Sequence, residues 1–253
     1  MPALDIIVAG FSESRYLVDA LSALLHCTRM VGFKDQRCTR APEWRLQKNT
    51  TFLSTCRNAD PIARSGRCAD GDTLAWAWES FATVDPRLEA ILNETKPTGR
   101  RRALVYSVGP HYFSQFEHHN HRSYYVDASE WPEEWLARYY DDVKGLMRWL
   151  HHWSRDARTC VLWKTNNIGT GEEGSVHPSR RGGVHHWLNR WAVAMAHETG
   201  VRVVDVQPLT LNMSVAYATD DVGKQVADLY HGYNHSRLAE HVLREIEREC
   251  GRV

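Results

Sequence analysis

A three-layer α/β/α sandwich around a mostly parallel sheet is the architecture this chain predicts, and three observations carry it. Four short runs, at 4–9, 103–108, 159–164 and 201–206, are mostly apolar or β-branched, the pattern of strands covered on both faces. Helical periodicities occupy 14–26, 132–155, 183–198 and 235–250. Strand and helix alternate along the chain, which is how a parallel sheet with helices on both sides is built.

Each element has a local reason. Residues 4–9 end at Gly10, where the backbone can turn tightly, and Ser12 then stands at the mouth of the first helix. The stretch 28–72 is polar and broken by Pro42, Pro61 and Gly66; it reads as an irregular insertion bearing Cys38, Cys56 and Cys68 just after Cys27. Residues 73–79 suggest a fifth strand, since Leu74, Trp76 and Trp78 alternate with Ala75 and Ala77. A second irregular stretch, 165–183, holds five glycines and a proline directly after a strand. No repeat or linker divides residues 1–253, so one domain is expected. In an open parallel sheet ligands bind outside the carboxyl ends of the strands, and long loops there shape a cleft.

Composition narrows the function. Lys plus Arg and Asp plus Glu balance at 31 each, so no global charge favours nucleic acid or an anionic membrane surface. No run of 18 apolar residues offers a transmembrane segment, and no signal peptide is visible in this chain. Four of the nine asparagines, Asn49, Asn93, Asn212 and Asn234, stand in Asn-x-Ser/Thr sequons, against about one expected by chance. With an even count of six cysteines, this points to the lumen of the secretory pathway or the extracellular space, any targeting segment lying outside the chain. Cys27, Cys38, Cys56, Cys68, Cys160 and Cys250 show no zinc spacing; six cysteines allow 15 pairings, and Cys160 fits a bridge or a reduced core thiol equally well.

The chemistry is carried by residues far apart in the chain. A glycine, a serine and a helix N-terminus suit a nucleophile whose tetrahedral intermediate needs backbone N–H donors. Near the other end, Asp228 and His231 precede the last helix, at a spacing that lets a carboxylate orient an imidazole. The imidazole would then deprotonate Ser12, brought to it by a sheet that gathers its loops on one edge.

Gly10-Phe11-Ser12-Glu13-Ser14-Arg15 resembles the first block of the SGNH (GDSL-like) hydrolases, closest to the PC-esterase branch of polysaccharide O-acetyltransferases and acyl-esterases. Asp228-x-x-His231 resembles the last block of that superfamily, and Val161-Leu162-Trp163-Lys164-Thr165 is similar to the branch's strand ending in Trp-Arg/Lys-Thr. Leu188-Asn189 and Val203-Val204-Asp205 fall in the expected order between them. The resemblance implies an SGNH-hydrolase or flavodoxin-like fold, with Ser12 as nucleophile, His231 as base and Asp228 as its orienting carboxylate. It implies an oxyanion hole from the Ser12 amide, Gly109 and His111, and a substrate contact at Arg15. Two positions depart from the pattern. Phe11 replaces the usual Asp before the nucleophile, and Gly109-Pro110-His111-Tyr112 stands where Gly-x-Asn-Asp is usual, so His111 takes the place of the asparagine donor.

The implied substrate is an O-acylated carbohydrate, the acyl group an acetyl; water as acceptor makes an esterase, a sugar hydroxyl a transferase with its own acyl donor. No cofactor is implied. The alternative is a descendant that kept the fold as a glycan- or protein-binding domain and lost the chemistry. A third reading, metal hydrolysis at His111, His118, His119 and His121, lacks a carboxylate or cysteine at ligand spacing, and a solvated loop is expected there instead.

Overall fold

The computed structural model describes residues 3–10, 12–27, 66–69, 71–78, 82, 84, 88–89, 92–93, 100–108, 133–167, 182–211, 217–219, 225–227 and 235–251. Strand β1 (Leu4–Gly10) is buried throughout, apolar but for Asp5, whose carboxylate accepts from Thr73 Oγ1 and pairs with Arg100. Its side chains alternate between two cores. Leu4, Ile6 and Val8 join one, Ile7 and Ala9 the other. Helix α1 (Ser12–Leu24) follows, then the short strand β2 (Gly66–Arg67) and β3 (Thr73–Trp78). Strand β4 (Arg101–Ser107) leads to α2 (Glu133–Ser154), β5 (Thr159–Lys164), α3 (Gly182–Thr199) and β6 (Arg202–Val204). After them come α4 (Gln207–Leu211), a small hairpin of β7 (Tyr217–Thr219) and β8 (Gln225–Ala227), and α5 (His235–Cys250).

Among the described residues the main sheet runs β2-β3-β1-β4-β5-β6, all pairs parallel except β2 with β3. Helices α1 and α5 cover one face, with Leu17, Leu21, Leu238 and Val242 in the core beneath them. Helices α2 and α3 cover the other through Tyr139, Met147, Leu188 and Ala192. This is the expected three-layer sandwich. The strand predicted at 73–79 is real and lies beside β1, where Leu74 and Trp76 face one core and Ala75 and Ala77 the other. The last parallel strand is shorter than the predicted 201–206, because the Asp205 side chain turns to accept from the Gln207 amide and cap α4. Most of the 28–72 insertion lies outside the described residues; its end forms β2 and the turn before β3.

Among the described residues two disulfides tie helix ends to the sheet. Cys27–Cys68 fastens the chain leaving α1 to the turn before β3, and Cys160–Cys250 fastens the last residue of α5 to the start of β5. Cys160 is therefore half of a bridge and not a reduced core thiol. Arg101 of β4 also donates to the carbonyl of Gly251, just past α5. Both ties place the end of α5 at the amino edge of the strands. Its 16 residues span about 24 Å, roughly the length of a seven-residue strand, so α5 begins at the carboxyl edge.

Candidate active site

The chain leaves β1 toward β3, with α1 on one face, and leaves β4 toward β5, with α2 on the other. Between β1 and β4 the winding reverses, and in open parallel sheets such a reversal is where ligands bind, outside the carboxyl ends of the strands. Gly10 pairs with Ser107 at that point, and Ser12 is the first residue of α1. Ser12 thus lies where the first N–H groups of a helix have no partner within the helix.

Close approach explains the glycine. A Cβ at Gly10 would lie 2.2 Å from Ser14 Oγ and 2.4 Å from the Ser107 carbonyl oxygen, on a backbone with φ of +156°. The strand exits and the first turn of α1 are thereby packed as one unit. Ser14 is fully buried, and its Oγ has no hydrogen-bond partner among the described residues.

A floor of buried polar side chains runs along the same edge. Ser107 Oγ donates to Asn166 Oδ1 at 3.4 Å, and Asn166 Nδ2 donates to the Val108 carbonyl at 3.2 Å. Asn189 of α3 grips Asn166: its Oδ1 accepts from the Asn166 amide at 2.7 Å and from Nδ2 at 3.2 Å, while its Nδ2 donates to the Asn166 carbonyl at 2.8 Å. Lys164, at the end of β5, donates to the Thr165 carbonyl and to Asn167 Oδ1. Thr165 Oγ1 donates to Asp205 Oδ1 and accepts from the Val206 amide, joining the exits of β5 and β6. So many buried polar groups at one strand edge are expensive to desolvate, and each hydrogen bond here offsets part of that.

Of the residues expected from the sequence to act here, Ser12 opens α1 at this reversal, and Arg15 lies on the first turn of the same helix. Asp228, His231, Gly109 and His111 lie outside the described residues, as do Phe11 and the histidines at 118, 119 and 121. Their flanks are described. Val108 ends just before Gly109, β8 ends at Ala227 immediately before Asp228, and α5 begins at His235. Helices α1 and α5 pack against each other on one face, so the start of α5 and Ser12 share the carboxyl edge. Sequence reading missed Ser107, Asn166 and Asn167 as parts of the floor. The signal was present: Lys164-Thr165-Asn166-Asn167 is a polar run issuing straight from an apolar strand.

The opposite edge has another character. A cavity of about 340 Å³ there is lined by Arg101, Arg102, Arg158, Arg202, Asp156 and Glu249 among others. Its arginines serve the helix ends: Arg101 donates to the Gly251 carbonyl, Arg202 to the Glu249 carbonyl, and buried Arg102 pairs with Asp156. Cations at helix C-termini are a stabilising arrangement in themselves. Among the described residues no three metal-ligating side chains are grouped, and no helix is long and apolar enough to cross a membrane.

No family model and no curated protein matches the chain. Solved structures do. The acetylxylan esterase Axe2 of Geobacillus stearothermophilus is 13% identical over 98% of this chain and 94% of its own, with a TM-score of 0.44. A member of the lipolytic G-D-S-L family from Veillonella parvula is 11% identical over 99% of this chain and 100% of its own, with a TM-score of 0.43. The acetyl xylan esterase AlAXEase is 11% identical over 96% and 99%, with a TM-score of 0.44. These are likenesses of overall shape, too distant to speak to activity.

Proposed function

We propose that this chain is a serine-dependent esterase or acyltransferase of the SGNH type, acting on an O-acyl group, specifically O-acetyl, of a carbohydrate. The observation that carries the reading is the position of Ser12. It opens α1 at the crossover between β1 and β4, on the edge from which α5, four residues after His231, also sets out. A block just before α5 would set out from the edge that holds Ser12, which is what the reading requires of residues separated by most of the sequence.

In this mechanism His231 takes the proton of Ser12 Oγ as the oxygen attacks the acyl carbon, and Asp228 stabilises the imidazolium that results. The tetrahedral oxyanion is held by the Ser12 amide, the Gly109 amide and His111. Collapse breaks the ester bond, and the departing sugar oxygen takes the proton from His231. A water or a sugar hydroxyl, deprotonated by His231, then attacks the acyl-serine and releases it as free acid or as a new ester. The PC-esterase branch, a separate acyl donor and a contact from Arg15 belong to this proposal through the sequence blocks alone. The two disulfides support an oxidising compartment, the secretory lumen or outside the cell.

The test is acetate release from an acetylated polysaccharide by the purified chain, set beside Ser12→Ala. Release that Ser12→Ala abolishes supports the reading. A folded chain that binds glycans equally well with and without Ser12, and releases nothing, supports the binding-domain alternative, which Phe11 and the absent block-three asparagine favour.

A further inference from the structure

Asn166 has both of its side-chain protons engaged inside the protein. Both protons of Nδ2 are donated, to the Val108 carbonyl and to Asn189 Oδ1, and its Oδ1 accepts from Ser107. Its backbone amide and carbonyl are both held by the Asn189 side chain. Asn166 and Asn189 are wholly buried, and Ser107 is nearly so. An amide so engaged offers no donor to a substrate. What it does is fasten three elements together: the exit of β4, the exit of β5 and helix α3.

The exit of β4 is the strand end in contact with the Ser12 turn, since the Ser107 carbonyl sits against Gly10. We infer that Asn166, braced by Asn189, is a positioning residue for acyl transfer, fixing the direction in which the main chain leaves β4 beside Ser12. Because a peptide group is planar, a grip on the Val108 carbonyl fixes the plane in which the chain leaves β4. A main-chain N–H held in advance of the reaction is effective at a developing oxyanion because nothing must reorganise when charge appears. An apolar side chain could fill the same volume without desolvating an amide; this network instead controls orientation. The inference rests on the reading of Ser12 as nucleophile.

The test measures kcat and KM with p-nitrophenyl acetate for the wild-type chain, Ser12→Ala, Asn166→Ala and Ser107→Ala, each with its thermal midpoint. Asn166→Ala is expected to lower kcat about 10- to 100-fold with KM changed less than about threefold, because a misplaced donor weakens the transition state and not substrate binding. Ser107→Ala, which removes one hydroxyl and one long bond, is expected to lower kcat severalfold at unchanged KM. It carries the test alone if Asn166→Ala does not fold. A Ser12-dependent rate that folded Asn166→Ala leaves within about twofold of wild type overturns this inference and spares the Ser12 reading; so does an unchanged kcat in Ser107→Ala. Equal rates in wild type and Ser12→Ala overturn both.

Discussion

An alanine at position 10 would meet two neighbours of very different compliance. Ser14 Oγ, 2.2 Å from the new Cβ, can rotate away; the Ser107 carbonyl oxygen, 2.4 Å away, is backbone in a paired strand and cannot. Ordinary contact would require β1 and β4 to part by roughly 1 Å at their carboxyl ends, an overpacking penalty of about 1–3 kcal/mol. The +156° φ adds strain of about 1–3 kcal/mol for a residue with a side chain. Together these give about 4 kcal/mol, against a total stability of about 5–15 kcal/mol. For a chain of this size that lowers the thermal midpoint by about 8–16 °C. The displacement falls on the turn that carries Ser12, so any Ser12-dependent esterase activity drops about 100-fold in protein still folded at the assay temperature. Differential scanning calorimetry and p-nitrophenyl acetate hydrolysis read the two effects. A Gly10→Ala protein within about 2 °C and twofold of wild type would refute the reasoning that this glycine sets the approach of the two strands.

Three further outcomes follow from the packing. Removing the Cys160–Cys250 bridge with paired alanines frees a loop of 90 residues and lowers the unfolding free energy by about 4 kcal/mol in the chain-entropy model; an unchanged urea midpoint counts against it. Asp156→Ala leaves the guanidinium of Arg102, only 1% exposed, without that carboxylate and destabilises by about 3 kcal/mol, while a loss under about 0.5 kcal/mol would show the pair to be idle. Burial pushes the Tyr139 phenol well above its ordinary value, so the folded state holds this proton where the unfolded chain releases it. Its contribution to stability is therefore intact below about pH 10 and declines as pH rises beyond that; in alkaline absorbance titrations, Tyr139→Phe should leave the early ionising tyrosines unchanged.

Much of the sheet was legible because its strands are buried on both faces and so are mostly apolar. Residues 159–164 were legible to the residue for that reason, residues 235–250 through the 3.6-residue periodicity of an amphipathic helix, and the tryptophan–alanine alternation exposed β3. Elements of two or three residues carry no period to detect, which hid β2 and the β7–β8 hairpin. Pairing of Cys160 with Cys250 depends on where α5 ends relative to the sheet, a tertiary fact that no spacing encodes. The proposed nucleophile was visible as a serine after a glycine, but the buried network at the strand exits was not. Ser107 and Asn166 come from separate elements and meet Asn189 of a third, and an asparagine pattern looks the same whether it caps a loop or braces a strand exit.

The central claim is that Ser12 becomes acylated, and a covalent adduct tests it most directly. The chain is incubated with an activated acetyl ester at neutral pH, quenched in acid, and mapped by tandem mass spectrometry. We predict one added acetyl group on the peptide carrying Ser12, absent in Ser12→Ala and lost in His231→Ala. A folded protein that acquires no acetyl group, or acquires it equally without Ser12, would contradict the account.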